Sequence, residues 1–368
     1  MAALNIVMAG DVMLGRGIDQ VLPRPASPEL YEPFVRSALD YVTLAERRNG
    51  AIPRPIPYDY VWGDALGAFA AADIRVINLE TSVTRRGHPE PKGIHYRMAP
   101  DHVPVLSAAA IDCCILANNH VLDWGQEGLL DTLDALHAAD IHTAGAGRDP
   151  VEAAKPARIM APDGQSVLVY AVATPSSGVP HEWQAAANRP GVAFLESPSD
   201  KSAIAIADRI LRERRREDLV ILSIHWGPNW GFHIPVVERA FAHELIDRGA
   251  VDLVLGHSSH HPKGIEVRCD RPILYGAGDL INDYEGIVGH EEFHPNLALL
   301  YSASFADGGA LQSLQLLPFK IENFRLTRPT EGEVGWLLDT MRGECSSFGE
   351  RITLEEGSLR LDWPKYST

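Results

Sequence analysis

Four cysteines in 368 residues, at positions 113, 114, 269 and 345, form no CxxC or CxxxC pair. Nothing therefore hints at structural zinc, and the adjacent Cys113 and Cys114 suggest no disulfide framework; a reducing compartment fits best. No apolar run approaches the roughly 20 residues that a membrane span needs. The opening MAALNIVMAGDVMLG lacks a positively charged start and a small-residue cleavage site after an apolar stretch. Neither a secretory leader nor a membrane anchor is expected, and the location read from the sequence is cytoplasmic.

Positive charge is also scarce: 33 Lys and Arg stand against 49 Asp and Glu, for a net charge of −16. A nucleic-acid partner is not expected, because binding a polyanion needs a basic face that displaces counterions. Internal repeats and low-complexity tracts are missing. What remains, 45% apolar and 22% charged residues, is an ordinary globular balance able to bury one large core or two smaller ones.

Short apolar runs alternate with helix-length amphipathic stretches. The runs at 4–9, 74–79, 113–117, 166–172, 219–224, 251–256 and 272–277 read as buried strands. Segments 126–138, 201–215 and 236–249 have helical spacing, with Gly249 where a helix C-terminus is capped. The alternation predicts an α/β fold with strands buried on both faces. Residues 22–60, rich in proline, are expected to form a lid or excursion. The character changes after about residue 297 to strand-like runs, then a helix at 331–342, then a strand and a fraying end within 351–368. One catalytic domain is expected over 1–325, with 326–368 an extension packed on it.

Polar residues follow the apolar runs in series: Asp11, Asn78 and Glu80, Asn119 and His120, His225, then His257 and His260. In open α/β sheets ligands bind beyond the carboxyl ends of the strands, so these residues converge on one crevice. Any one of them alone is better explained as a helix cap or a satisfied histidine. Five strand ends in series are not. Imidazole with carboxylate favours manganese, iron or zinc, whereas carboxylate, amide carbonyl and water are compatible with calcium.

GDVMLGR (10–16), NLETSVT (78–84), LANNHVLDWGQEGLLDTLDAL (116–136), SIHWG (223–227) and GHSSH (256–260) together resemble the CapA, or poly-γ-glutamate capsule-synthesis, family of the calcineurin-like metallophosphoesterase superfamily. The resemblance covers roughly residues 4–285. It implies a four-layer αββα sandwich with a metal site at the strand C-terminal ends. It also implies metal ligands at Asp11, Glu80, Asn119, His225 and His257, and catalytic roles for Asp11, His120, Asp123 and His260. Two positions depart from the dinuclear phosphoesterase pattern: Met13 stands where histidine is usual, and Glu80 where a bridging aspartate is usual. A single divalent ion is the simpler expectation.

The chain is also similar to the peptide epimerases of lasso-peptide biosynthesis within this family. That similarity implies inversion of a C-terminal residue, tryptophan by resemblance, in a ribosomal precursor peptide, with calcium as the ion. Two-sided acid/base catalysis at Cα would draw on His120 and His260 with Asp11, Asp123 or Asp279. Tyr96 and Arg97, the latter a carboxylate clamp, and Trp226 and Trp230, an aromatic wall, are the expected substrate contacts. Loop packing is the plain alternative for the tryptophans, and a bridge to a core carboxylate for Arg97. His233, His243, His261, His290 and His294 carry no motif and are expected at the surface or in structural roles; His294 approaches the site if 286–296 forms a lid. The alternatives are a metallophosphoesterase or capsule-synthesis enzyme, and a non-catalytic peptide-binding module.

Overall fold

The computed structural model describes residues 3–364. Two sheets are stacked. In the larger, strand Leu4–Val12 runs parallel to Ile74–Leu79, which continues through Cys113–Ile115 to His142–Ala144. Its other edge pairs antiparallel with Leu297–Phe305 and, at its C-terminal end, parallel with the short strand Asp279–Ile281. The second sheet orders Ile265–Arg268, Arg271–Leu274, Leu253–His257, Leu219–His225, Ser166–Ala173 and Ala157–Met160.

Alternation along the strands explains why the sheets stack. Val167, Val169 and Ala171 share one buried cluster with Ile6, Met8 and Val76 of the larger sheet. The intervening Leu168, Tyr170 and Val172 join a second cluster with Ala203, Ala207 and Phe241 of helices Asp200–Glu213 and Val236–Asp247. Successive side chains of a strand point to opposite faces, so one strand feeds both the inter-sheet core and the helix–sheet core. Helix Gly125–Ala138 packs Leu129, Leu133 and Leu136 onto the inter-sheet core's cluster. The result is the expected α/β, four-layer αββα sandwich.

Gly249 ends its helix with φ of 67° and returns its N–H to the Ile246 carbonyl at 2.8 Å, the conformation that glycine adopts without a Cβ penalty. The proline-rich excursion holds a helix that the prolines obscure. Ala38–Asn49 is capped by the Ser37 side chain, and Leu30, Ala38 and Tyr41 form a small core of their own. At the C-terminal end, helix Glu331–Ser346 starts on a Thr330/Glu333 capping box. Strands Arg351–Glu355 and Ser358–Asp362 form a hairpin that joins the larger sheet. The expected fraying end falls at 365–368, outside the described residues. Among the described residues no helix is long and apolar enough to cross a membrane.

Candidate metal centre

The strand register delivers the polar residues to one place. Asp11 lies opposite both Asn78 and Asp279 on its neighbouring strands, and His225 lies opposite His257 in the other sheet. Gly10 makes this approach feasible: a Cβ there would meet the Gly278 carbonyl oxygen at 1.7 Å. Asp11 N–H donates to that same oxygen at 2.9 Å.

Asparagines frame the carboxylates. Asn78 Nδ2 donates to Asp11 Oδ1 at 2.7 Å and to Glu80 Oε2 at 3.1 Å. Asn118 Nδ2 donates to Asn78 Oδ1 at 3.0 Å, while Asn118 Oδ1 accepts the backbone N–H groups of His120 and Val121. Two histidine–carboxylate dyads flank this frame. His120 Nδ1 lies 2.6 Å from Asp123 Oδ2, and Asp123 also accepts from Lys92 Nζ at 2.7 Å and from the Tyr96 N–H at 2.7 Å. His260 Nδ1 lies 2.9 Å from Asp279 Oδ1, with its Nε2 2.9 Å from Asn229 Nδ2. Asn282 Nδ2 holds the other Asp279 oxygen at 2.9 Å.

Two groups of donors lie within 4.8 Å of one another: Asp11, Glu80 and His225, and Asp11, His260 and Asp279. His120 Nε2 and His225 Nε2 lie 3.8 and 3.9 Å from Glu80 Oε1, and His257 Nδ1 lies 3.4 Å from Asp11 Oδ1. Among the described residues, Asp11 Oδ2, Asn119 Oδ1 and both ring nitrogens of His225 and of His257 are buried without a hydrogen-bond partner. Buried polar atoms are ordinarily paired, and a bound ion would satisfy these orphans. The unpartnered atoms of these residues are carboxylate and amide oxygens and imidazole nitrogens, so the residues fit a bound cation.

The electrostatics match. Burial, then the neighbouring Asp11 carboxylate, pushes Glu80 well above the usual carboxylate range. Burial would also raise Asp11, but His257 and then His225 outweigh it and hold Asp11 low. Burial pushes His225 down to about 3, and His120 to about 4 despite Asp123. For His260, burial is outweighed by Asp279, and the imidazole is raised.

The structure thus brings together Asp11, Glu80, His120, Asp123, His225, His257 and His260; Asn119, adjacent to His120 in the chain, keeps a buried Oδ1 without a partner. Tyr96 joins from below. Its ring meets His120 edge-on at 4.6 Å, and its hydroxyl donates to that of Tyr284 at 2.9 Å. Met13 sits under this pair, its sulfur 3.5 Å from the Tyr284 hydroxyl.

Two expected substrate contacts are placed elsewhere, both because strand alternation turns them away. Trp226 follows His225 and faces the helix side, where its Nε1 donates to the Tyr275 carbonyl at 3.0 Å and its ring packs against Phe241. Arg97 follows Tyr96 and lies 3.7 Å over the Trp124 ring, donating to the Ser27 carbonyl at 3.1 Å. Trp230 does line a cavity next to His260. So does His290, which the sequence placed at the surface or in a structural role, and His294 packs on Trp336 with ring centroids 4.3 Å apart. Lys92, Asn229 and Asn282 escape a reading based on strand ends, because they sit in loops with no local pattern. Asn118 had a signal, the Asn-Asn pair directly after a buried strand.

A two-sheet αββα sandwich with imidazole and carboxylate donors at its strand ends defines a calcineurin-like protein with a candidate metal site. The chain belongs to the bacterial capsule synthesis protein PGA_cap family, whose model matches residues 5–284. It is 44% identical over 361 residues to a probable polyglutamine synthesis accessory protein of Mycobacterium tuberculosis, covering 97% of this chain and 95% of that one. It is 25% identical to the PGA biosynthesis protein CapA of Bacillus subtilis over 76% of this chain and 63% of that protein. The capsule biosynthesis protein CapA of Bacillus anthracis is likewise 25% identical, over 76% and 60%. The chain therefore spans somewhat under two thirds of the length of these two Bacillus proteins.

Proposed function

We propose that this chain is a metal-dependent enzyme with an accessory role in the synthesis of a polyglutamate-type polymer, using hydrolytic chemistry of the metallophosphoesterase kind. The observation that carries this reading is the convergence of unpartnered donors from both sheets on one buried point. The relatives named for capsule and polyglutamine synthesis supply the biological setting. One ion is assigned, held by Asp11, Glu80, Asn119, His225 and His257. His260 is left out of that set because both of its ring nitrogens already have partners. Two imidazoles beside carboxylates suit Mn²⁺, Fe²⁺ or Zn²⁺ better than Ca²⁺, whose sites are built of oxygen. When bound, such an ion supplies Lewis acidity and makes water more acidic near neutral pH.

The chain's own residues do the rest. Asp123, fixed by Lys92 and the Tyr96 N–H, orients His120 to move a proton. Asp279 orients His260 in the same way. A carboxylate behind an imidazole sets its tautomer and orientation, and typically matters 10- to 100-fold in metal sites. The cysteine usage favours a reducing, cytoplasmic setting for this activity.

A second reading, epimerisation at Cα of a peptide partner, has one observation in its favour. The strand ends run in the order Cys113–Ile115, Ile74–Leu79, Leu4–Val12, Asp279–Ile281. The His120 dyad follows the first of these strands and the His260 dyad includes the last. The names of the relatives weigh toward the first reading. The deciding experiment incubates metal-loaded protein with aryl phosphate esters, with poly-γ-glutamate and with short peptides in deuterated water. Phosphate release or polymer cleavage that is lost in His225→Ala supports hydrolysis. Deuterium at a peptide Cα without cleavage supports epimerisation. A protein that binds no divalent ion in a metal titration overturns both.

A further inference from the structure

Next to the metal centre lies a cavity of about 400 Å³ with His260 in its wall. Carbon dominates the lining. Pro33, Phe34 and Val35 come from the excursion, Ile94 from the loop before Tyr96, and Ile287 and Val288 from the segment after Asp283. Trp230 closes one side with His290 stacked on it, ring centroids 3.9 Å apart. The rim is apolar and wet: Phe34 is 95% exposed and Val288 77%. Single exposed apolar residues are ordinary, but a ring of them around a concave opening, drawn from three distant segments, marks a binding site.

The charged groups in the wall, Arg16 and Glu32, are paired. Arg16 is the one lysine or arginine among the lining residues, and its guanidinium is already paired with Asp283 and with Glu32 at 3.1 Å. A carboxylate entering here would lose its water, meet no free cation and face Glu32. An apolar side chain entering here gains by leaving water. At the inner end, Asn229 Nδ2 is hydrogen-bonded to His260 Nε2 at 2.9 Å, which leaves the Asn229 amide oxygen open to a peptide N–H.

We propose that the cavity receives an uncharged, apolar side chain of a peptide substrate and sets it beside His260, with Phe34, Ile94 and Val288 determining the preference. This rests on the metal-dependent reading above and narrows its substrate class. The accessory enzyme would act on an apolar-ended peptide rather than on the polyglutamate strand itself.

The test is calorimetric titration of the metal-loaded protein with N-acetyl-phenylalanine amide, N-acetyl-leucine amide, N-acetyl-glutamate amide and a short γ-glutamate oligomer. The two apolar amides are expected to bind at least tenfold tighter than either acidic probe. Ile94→Glu and Val288→Glu, both at exposed positions that leave folding intact, are expected to remove that advantage while binding metal as the parent does. Tighter binding of the glutamate oligomer, no binding of the apolar amides at millimolar concentration, or unchanged apolar binding in both variants overturns the proposal. Failure of the metal-dependent reading would show separately, as absent metal binding in the parent protein.

Discussion

Asp279 stands opposite Asp11 in the sheet register, and its Oδ1 lies 2.9 Å from His260 Nδ1. One short strand thus ties a histidine–carboxylate dyad to the carboxylate at the heart of the candidate metal centre. The dyad's orientation follows from backbone pairing, because Asp11 and Asp279 cannot shift relative to each other without breaking the Asp11 N–H to Gly278 hydrogen bond. Sites built on paired strands hold their geometry more tightly than sites built on loops.

Asp279→Asn keeps the shape of this pairing and removes the charge behind His260. Turnover in the metal-dependent assay is expected to fall about 10- to 100-fold. Affinity for the ion, read by calorimetry, should fall far less than in His225→Ala, because both His260 ring nitrogens are engaged elsewhere. Equal losses of ion affinity in the two variants would make Asp279 a ligand instead of a positioning residue.

Metal removal is a stability experiment as well. An ion at about 100 times its dissociation constant stabilises the folded state by about 2.7 kcal/mol. For a chain of this length that is a rise in Tm of about 3–4 °C over the chelated protein. His225→Ala and His257→Ala should flatten that response. Each also deletes buried, unpartnered ring nitrogens, so the chelated variants are expected to melt no lower than the chelated parent. A variant that keeps the full metal-dependent rise would remove that histidine from the ligand set.

The strands, and the gathering of the candidate metal residues at their ends, were legible because both obey local rules. A buried strand is a short apolar run, and its last residue sits at the edge of the sheet, so Asp11, Glu80, His225 and His257 could be read from position alone. Face was harder to read than position. Trp226 and Arg97 each neighbour a site residue in sequence, yet period-two alternation sends them to the opposite side. The helix Ala38–Asn49 was hidden because the prolines around it dominate the local signal, and its placement depends on Arg16, far away in sequence from Asp283. Lys92, Asn229 and Asn282 hold the dyads through loop contacts that only tertiary structure creates. The cavity was invisible for the same reason: its walls come from six separate stretches of the chain.

Arg16 is the clasp between the excursion and the body. Its guanidinium carbon lies 3.9 Å from the centroid of Tyr41 and 4.5 Å from that of Tyr96, its Nε donates to Asp283 Oδ2 at 3.1 Å, and Glu32 takes its Nη1. All of these groups are buried. Arg16→Met leaves Asp283 and Glu32 as uncompensated buried charges, and is expected to cost about 3–5 kcal/mol in urea unfolding. Arg16→Met combined with Asp283→Asn and Glu32→Gln should recover a substantial part of that loss. If the triple variant is as unstable as the single one, the cost lies in lost ring packing and not in charge.

Away from the metal centre, Glu266 gives a clean pH dependence. Burial would raise its pKa, but His243 at 2.9 Å, the paired contacts of Arg239 at 2.8 and 3.1 Å, and the Tyr275 hydroxyl at 2.7 Å outweigh it and bring it down to about 2. A carboxylate whose folded pKa lies below its unfolded value binds fewer protons when folded. Its stabilisation is therefore fully present above about pH 4.5 and disappears as pH falls toward 2. Arg239 is partly exposed, so solvent screening reduces the effect to on the order of 1–2 kcal/mol. Glu266→Gln should lower stability by that amount at pH 6–7, with the gap to the parent closing between pH 4.5 and 2 in chemical unfolding. A gap that stays constant across this range would mean that Glu266 acts through hydrogen-bond geometry alone.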